Sequence, residues 1–242
     1  MKSFTVYPIG GMPLVGAGDD LSQLLIDRVE PLLGFQDHDV LVLAQKILSK
    51  AEGAIVDLNT IAPSEKAIEL AAQTGRDPRL VQVFLDEAKE ILAVKGRMII
   101  TRHKLGFVGS SSGVDRSNIA PHNIGKVVLL PSDPDQSARV IRARVQERTG
   151  KTIAVIINDS CGRDYRDGSV GMAIGIAGIM AIEAAEKTDL YGNVSRPRIA
   201  LVDEIAAAAS ILMGQAGEGV PAVLVRGVSF TPSDESRITD LL

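Results

Sequence analysis

Residues 152–163 read TIAVIINDSCGR, an apolar run that passes directly into polar and charged residues. The part from Thr152 to Ile157 is short, β-branched and almost wholly apolar, which is typical of a strand buried on both faces. A chain leaving such a strand here places the carboxylate of Asp159 and the hydroxyl of Ser160 at the strand's end. Because α/β-type sheets usually place their chemistry at strand ends, we expect a functional site at this point.

A second aspartate, Asp115, lies in a similar polar setting, within the sequence GVDRSN at residues 113–118. Two acidic turns of this kind suggest an oxygen-rich site for a hard cation. Each aspartate alone also has a structural explanation. Asp115 could form an Asx turn and Asp159 could cap the next element, as these residue types often do.

The composition limits the possible classes of protein. The chain has 242 residues, which suits one large domain or two small lobes. A net charge of −4 argues against a broad nucleic-acid surface, and 3% aromatic residues without Trp argue against base-stacking platforms. The single cysteine excludes an intrachain disulfide and a cysteine zinc site. The longest apolar run, 170–182, is too short to span a bilayer. We therefore expect a soluble, cytoplasmic protein with no nucleic-acid or membrane partner.

Strand and helix signals alternate along the chain and predict an α/β or mixed α+β fold. Strands are predicted at 4–7, 40–48 with 54–58 as its continuation or partner, 98–102, 127–130, 152–157 and 220–226. Helices are predicted at 19–33, 63–75, 77–96, 134–149 and 200–213, several with Pro or an acidic cap at the start and Gly at the end. Residues 231–242 are predicted to form a loosely held tail.

Three further patterns resemble known motifs but lack the context that those motifs need. Residues 109–113, GSSSG, fit a nucleophile elbow centred on Ser111, yet a turn rather than a helix is predicted after them. Gly150-Lys151-Thr152 resembles the end of a phosphate-binding loop, but the order is helix then strand, so a helix C-cap is favoured. The glycine-rich segment 171–178 favours close backbone packing. His38, His103 and His122 have no metal-binding spacing.

Five segments marked by glycine or charge remain: 10–14, 44–53, 113–118, 158–163 and 213–221. Together and in this order, they resemble the coenzyme F-420-0:L-glutamate ligases (gamma-glutamyl ligases), which add glutamate to a deazaflavin coenzyme. The resemblance runs from about Val6 to Arg226. Its most specific blocks are 45–53, DLYG at 189–192, VDEIA at 202–206 and VLVRG at 223–227.

The resemblance implies a two-lobed α/β fold in residues 1–230, followed by the tail, and an intertwined homodimer with the site in a groove at the interface. It implies divalent-metal ligands at Asp115, Asp159, Ser160 and Gln215, and catalytic roles for Asp115, Asp159 and Lys50. The implied nucleotide contacts are Gly11, Met12, Pro13, Leu14, Gln45, Lys50, Asn118, Gly214, Gln215, Ala216, Gly217, Glu218, Gly219 and Val220. The implied substrates are GTP, L-glutamate and coenzyme F-420-0, with two Mg²⁺ or Mn²⁺ ions; a need for K⁺ and the number of glutamates added stay open.

The chemistry of these residue types agrees with such a ligase. Amide formation through an acyl phosphate relies on positioning and charge neutralisation, which two aspartates with their cations and Lys50 can supply. Arg163 and Arg166 are predicted carboxylate clamps. The family usually has threonine at Ser160 and an Asn-Ala-Gly run near 109–113. Three alternatives stay open: a ligase of this scaffold for another carboxylate or amino acid, a regulatory module without turnover, and a serine hydrolase using Ser111.

Overall fold

The computed structural model describes residues 3–119, 124–163 and 165–242 and has a mixed α/β architecture. The strands are β1 (Thr5–Ile9), β2 (Val40–Ala44), β3 (Ile55–Asp57), β4 (Ala88–Lys95), β5 (Met98–His103), β6 (Val108–Ser110), β7 (Lys126–Val128), β8 (Ala154–Arg163), β9 (Arg166–Ala177), β10 (Glu183–Ala184), β11 (Lys187–Thr188), β12 (Val194–Ser195), β13 (Arg198–Ile199) and β14 (Ala222–Arg226). The α-helices are α1 (Leu21–Val29), α2 (Gln45–Ala51), α3 (Glu65–Thr74), α4 (Pro78–Glu87), α5 (Pro134–Thr149) and α6 (Leu201–Met213).

A five-stranded sheet in the order β1-β14-β2-β8-β9 forms the centre of the molecule. Strands β2 and β8 are parallel, from Val40 opposite Ala154 to Ala44 opposite Asn158, and the other pairs are antiparallel. The apolar run of β8 is fully buried from Ala154 to Ile157. This confirms the predicted core strand. Helices α5 and α6 pack against it, and β9 pairs with it in the sheet.

Strand β8 is longer than its apolar run predicts, because it continues through Arg163 as one arm of a hairpin with β9. The parallel partner β2 ends opposite Asn158, so Asp159 lies just past the carboxyl end of that pairing, inside the hairpin arm. The expectation that the chain leaves the strand at Asn158 is therefore wrong. The cause is the antiparallel partner β9, which supplies backbone hydrogen bonds after β2 has ended.

Glycines in β9 permit close packing against the helices, as predicted. An added Cβ at Gly175 would lie 2.6 Å from backbone and side-chain atoms of Pro134, at the start of α5. At Gly171 it would lie 2.6 Å from the carbonyl oxygen of Ala206 in α6. Both contacts are too short for any side chain, so glycine sets the distance between the sheet and its two covering helices.

A second, smaller core lies under α3 and α4, whose caps Ser64, Gly75 and Asp77 are those predicted. It packs beside the three-stranded antiparallel sheet β4-β5-β6 and the pair β3-β7. The predicted helix at 77–96 is wrong after Glu87, where the chain becomes strand β4 and pairs with β5. Alternating exposed and half-buried side chains in β4 suit a strand with one solvated face.

The prediction of a continuous strand at 40–48 is also wrong. The strand ends at Ala44 and helix α2 begins at Gln45, where the Oγ of Ser49 donates a 2.8 Å hydrogen bond to the Oε1 of Gln45 one turn earlier. Residues 55–57 pair with β7 and not with β2. The change from strand to helix matters for function, because it places Lys46 and Lys50 four residues apart on one face of α2.

The C-terminal segment is packed, contrary to the expectation of a loosely held tail. Ile238 is buried, and its backbone N–H donates to the carboxylate of Asp135 at 3.2 Å. The backbone N–H of Ala181 donates to the Oγ of Ser236 at 3.0 Å. Within the described part of the chain, no helix combines the length and the apolar character needed to cross a membrane.

Candidate active site

Asp115 is fixed by its backbone beside strand β7. Its N–H and carbonyl exchange two 2.9 Å hydrogen bonds with Val128, and its Oδ1 accepts a 2.7 Å bond from the N–H of Ser117. The Nζ of Lys46 lies 2.6 Å from Oδ2. Burial opposes ionisation, but the hydrogen bonds from Lys46 and Ser117 outweigh it and lower the pKa of Asp115. Asp115 is therefore an ionised carboxylate, and these contacts fix its position.

Asp159 is held by the β8–β9 hairpin, where it lies opposite Met172. Burial, with the negative charge of Asp115 as a smaller cause, raises the pKa of Asp159 to about 6. The backbone N–H of Ser160 and the positive charge of Lys46 act in the opposite direction. The charges of Asp115 and of its partner Lys46 both act on Asp159, which indicates that the two predicted acidic turns, 44 positions apart in sequence, face the same region of the molecule.

Lys46 links these acids to the rest of the site, and it is absent from the residues predicted from sequence. Its Nζ donates 2.6 Å to the Oγ of Ser117, in addition to its ion pair with Asp115. The sequence signal is the four-residue spacing of Lys46 and Lys50, which only a helix at 45–51 makes meaningful. Burial and then the like charge of Lys46 lower the pKa of Lys50.

A chain of hydrogen bonds joins Lys50 to the glycine-rich loop after α6. The Nζ of Lys50 donates to the carbonyl oxygen of Asn118 at 2.6 Å, and the Nδ2 of Asn118 donates to the carbonyl oxygen of Ala216 at 2.8 Å. The carboxylate of Glu218 accepts from the backbone N–H groups of Gln215 and Ala216 and closes that loop. Three segments distant in sequence thus meet beside Asp115.

The N-terminal glycine segment lies beside the same loop. An added Cβ at Gly10 would lie 3.4 Å from the carbonyl oxygen of Gly219. Gly11 has a φ of 71°, a left-handed conformation that favours glycine. Leu14 is almost fully exposed, whereas Met12 packs on the large core. The segments 10–14 and 214–220, which are predicted to contact a nucleotide, therefore lie next to each other.

For several other residues, the role given by the sequence stays a prediction. Gln45 is buried and accepts a bond from Ser49. Gln215 is exposed, and among the described residues no hydrogen bond joins its side chain to either aspartate. Arg163 and Arg166 are exposed and opposite each other near the end of the β8–β9 hairpin. His122 lies outside the described residues.

The acidic pair suits a cation that is shared with a phosphate ligand. Within the described ranges no group of three or more His, Cys, Asp or Glu side chains could hold a metal ion. Two carboxylates and a hydroxyl, those of Asp115, Asp159 and Ser160, are nevertheless the donor types that Mg²⁺ uses when substrate phosphates and water complete its coordination. The electrostatic cost of ionising Asp159 beside Asp115 is one that a cation would remove.

The segment predicted as an alternative nucleophile elbow does not have that geometry. Ser111 follows strand β6 but opens a short 3₁₀ turn that ends at Gly113, and not a helix. The hydroxyl of Ser112 is buried and donates to the carbonyl oxygen of Phe84 at 2.7 Å. The strand–turn–helix arrangement that exposes a serine nucleophile is therefore missing from this segment.

Comparison with known proteins shows the family of the chain. The sequence profile described as F420-0:gamma-glutamyl ligase matches residues 11–227, which include every predicted site residue. The chain belongs to the F420-0:gamma-glutamyl ligase family. It is 47% identical over 225 residues to a protein of Methanothermobacter thermautotrophicus named coenzyme F420:L-glutamate ligase, covering 90% of this chain and 87% of the relative.

Two other members of this family carry the same name. The protein of Methanocaldococcus jannaschii is 42% identical over 96% of this chain and 90% of its own length. That of Methanopyrus kandleri is 45% identical over 94% of this chain and 88% of its own length. The similarity spans both hydrophobic cores and all segments that meet at Asp115 and Asp159.

Proposed function

We propose that this chain is a GTP-dependent ligase that joins L-glutamate to coenzyme F420-0 and releases GDP and phosphate. Family membership supports the ligase class, because the similar proteins are named L-glutamate ligases of coenzyme F420. The observation that most favours nucleotide use is the connected set of Lys50, Asn118 and the glycine loop beside the two aspartates. Two lysines, two loops of backbone N–H groups and an acidic pair suit a nucleoside triphosphate with its cations.

The proposed reaction has two steps. A carboxylate oxygen of the acceptor attacks the γ-phosphorus of GTP, the bond between that phosphorus and the β,γ-bridging oxygen breaks, and GDP leaves. The amine of glutamate, after losing one proton to water, attacks the carbonyl carbon of the acyl phosphate. The C–N bond forms, the C–O bond to phosphate breaks, and the second amine proton passes to phosphate or water. Neither step needs covalent catalysis by the protein.

The side chains of the site would therefore work by placing charge. Asp115, Asp159 and Ser160 would hold two Mg²⁺ or Mn²⁺ ions, with Gln215 as a further predicted ligand, and the bound ions would neutralise charge that develops on the phosphates. Lys50 would contact the phosphates as a point charge, and Lys46 would keep Asp115 in place. The loops 11–14 and 214–220 would surround the nucleotide, with Gln45 and Asn118. K⁺ is a further cofactor to test.

The experiment that tests this function is phosphate release from GTP by the full chain. We expect release with Mg²⁺ or Mn²⁺ only when both coenzyme F420-0 and L-glutamate are present, in equal amounts with the new amide product. Release that needs a different carboxylate or amino acid would instead support a ligase of the same scaffold with another substrate. Binding of GTP without any turnover would contradict the proposal and favour a regulatory module.

We also propose that the protein functions as a homodimer. Strands β10–β13 form an extended hairpin from 183 to 199 whose tip exposes the large side chains of Leu190 and Tyr191, 100% and 90% accessible. Tyr165, beside the end of the β8–β9 hairpin, is fully exposed as well. These are three of the most exposed large apolar residues in the described chain, and such side chains on projecting arms are typical of subunit contacts.

A double substitution at the hairpin tip tests the dimer. Leu190→Asp with Tyr191→Asp places two charges where apolar contact is proposed, so we expect monomers at micromolar concentration where the unaltered protein is a dimer. Light scattering coupled to size-exclusion chromatography measures the mass. Ile211→Asp changes an equally large exposed residue on α6 and serves as the control. An unaltered protein that is monomeric, or a double variant that remains dimeric, would contradict the proposal.

A further inference from the structure

Arg28 is a half-buried arginine that contacts the first glycine segment of the candidate site and is absent from the residues predicted from sequence. It lies in the last turn of α1, a helix that Leu25 and Val29 fix against the large core. Its Nε donates a 2.6 Å hydrogen bond to the carbonyl oxygen of Gly10, 18 positions earlier in the chain. The helix therefore holds the connection that precedes it.

The guanidinium of Arg28 also fills the space beside Gly11. An added Cβ at Gly11 would lie 2.7 Å from the Nη2 and 3.2 Å from the Cζ of Arg28. The φ of 71° at Gly11 is a second, independent requirement for glycine at this position. The side chain of Arg28 and the backbone of Gly10 and Gly11 thus pack as one unit, which we call the arginine–loop contact.

The arginine–loop contact anchors the segment 10–14. Within the described part of the chain, the bond from Arg28 is the one hydrogen bond that residues 10–14 make. The segment belongs to no helix or strand, since β1 ends at Ile9 and α1 begins at Leu21. Because ordering such backbone costs conformational entropy, loss of the anchor would allow the segment to adopt other conformations.

Arg28 is not explained by an ion pair. The two acids closest to it in sequence bond elsewhere. Asp27 accepts a 2.7 Å hydrogen bond from the Nε2 of Gln23. Glu30 accepts a 2.9 Å hydrogen bond from the backbone N–H of Phe35. No ion pair joins Arg28 to any residue that the structure describes. The interaction that its guanidinium does make is with the loop, so the loop is the structure that Arg28 supports.

The anchored segment lies next to the loop that leads to the acidic site. An added Cβ at Gly10 would lie 3.4 Å from the carbonyl oxygen of Gly219. The same loop is joined to the site through Ala216, whose carbonyl oxygen accepts the 2.8 Å bond from Asn118. A shift of Gly10 would therefore change the region where the nucleotide is proposed to bind, while the two aspartates keep their own contacts.

We propose that Arg28 is a positioning residue for nucleotide binding, which holds Gly10 and Gly11 in the conformation that accepts GTP. This inference rests on the proposed function and extends the candidate site to a residue of α1. Because Arg28 bonds to the loop and to neither aspartate nor either lysine of the site in the described structure, its effect is on GTP affinity and not on the chemical steps.

Titration calorimetry of the full chain with GTP and Mg²⁺, together with steady-state kinetics, tests the proposal. We expect Arg28→Met to weaken GTP binding about tenfold and to raise the KM for GTP, while kcat and the KM for L-glutamate stay within about twofold. Arg28→Lys retains a donor on a long side chain and should lose no more than about threefold. Arg139→Met is the matched control, because Arg139 is also a half-buried helical arginine but its Nε donates to Gln136 within its own helix.

Gly11→Ala tests the same contact from the loop. Its methyl group would displace the guanidinium, so we expect a loss of GTP affinity similar to that of Arg28→Met. Since both changes disrupt one contact, the double variant should bind GTP at most about threefold more weakly than the weaker single variant. Gly18→Ala is the control for backbone strain, because Gly18 has a φ of 86° but no atom within 4 Å of an added Cβ. It should bind GTP as the unaltered protein does.

The outcomes separate this inference from the proposed function. If the unaltered chain binds no GTP, both are wrong. If it binds GTP but folded Arg28→Met keeps the affinity within twofold, or the losses of the two single variants multiply in the double variant, only the role of Arg28 is wrong. Should Arg28→Met prove unfolded by circular dichroism, Gly11→Ala decides the matter, because it leaves α1 unchanged. Unaltered GTP affinity in Gly11→Ala would then overturn the inference.

Discussion

Asp159→Asn and Asp115→Asn are each expected to lower the rate of ligation by about 10³-fold without unfolding the protein. The two carboxylates lie within electrostatic reach of each other, and the charge of Asp115 opposes ionisation of Asp159. A cation between them relieves this repulsion, so loss of either charge removes much of the cation's binding energy. Asparagine keeps the size of the side chain and removes only the charge.

Titration calorimetry with GTP, with and without Mg²⁺, measures the binding part of this effect. We expect the Mg²⁺-dependent gain in GTP affinity to disappear in both variants and to persist in Asp86→Asn, which changes an exposed aspartate on α4 whose carboxylate accepts a hydrogen bond from Gln82. Unchanged metal-dependent affinity in both variants would show that the acids do not hold the cation.

Asp115 and Asp159 also yield a prediction about stability. Replacing Asp159, which is expected to harm activity, is not expected to harm the fold. In metal-free protein, burial and the charge of Asp115 oppose the ionised form of Asp159, whose pKa is raised to about 6. At neutral pH the unaltered protein therefore carries an unfavourable charge on Asp159. Because Asp159→Asn removes this charge, we expect its melting temperature to equal or exceed that of the unaltered protein in thermal unfolding. An active-site acid that destabilises the metal-free fold is a common consequence of selection for binding.

The sequence predicts those parts of the fold where a single pattern dominates. The run Ala154–Ile157 has no polar residue, and its burial follows directly. Helix α5 has a cap at each end, Asp133 and Gly150, and its bounds agree with the prediction. The pattern fails at 45–51 and at 88–95, where apolar and polar residues mix without a clear period. In β4 the tertiary pairing with β5 decides the structure. In α2 a local hydrogen bond from Ser49 to Gln45 supports the helix.

The two acids of the candidate site are also predicted from sequence, because Asp159 follows an apolar strand and Asp115 follows a glycine in a polar turn. Their neighbours are not. Lys46 becomes a partner of Asp115 only when residues 45–51 are helical and β7 holds Asp115 opposite Val128. Residues that act through long-range packing cannot be identified from local sequence patterns.

Arg226→Met is expected to lower the free energy of unfolding by about 3–5 kcal/mol, because it leaves the carboxylate of Asp39 buried and unpaired. Asp39 is 1% exposed, and the guanidinium of Arg226 donates to both of its oxygens, Nε at 2.8 Å and Nη2 at 2.7 Å. Nη2 also donates to the carbonyl oxygen of Gly34 at 2.8 Å. Arg226 thus ties strand β14 to the turn before β2, which explains physically the arginine of the VLVRG block.

Urea unfolding followed by circular dichroism measures the loss. Arg144→Met, which removes an arginine from an exposed pair with Glu147 on α5, should leave the free energy of unfolding almost unchanged, because exposed ion pairs contribute little. Adding Asp39→Asn to Arg226→Met removes the stranded charge, and the double variant should recover at least half of the loss. If the single variant loses less than about 1 kcal/mol, or the second change recovers nothing, the buried charge is not what Arg226 compensates. Methionine retains most of the arginine's apolar length, so the measured difference reports on charge and hydrogen bonding more than on packing.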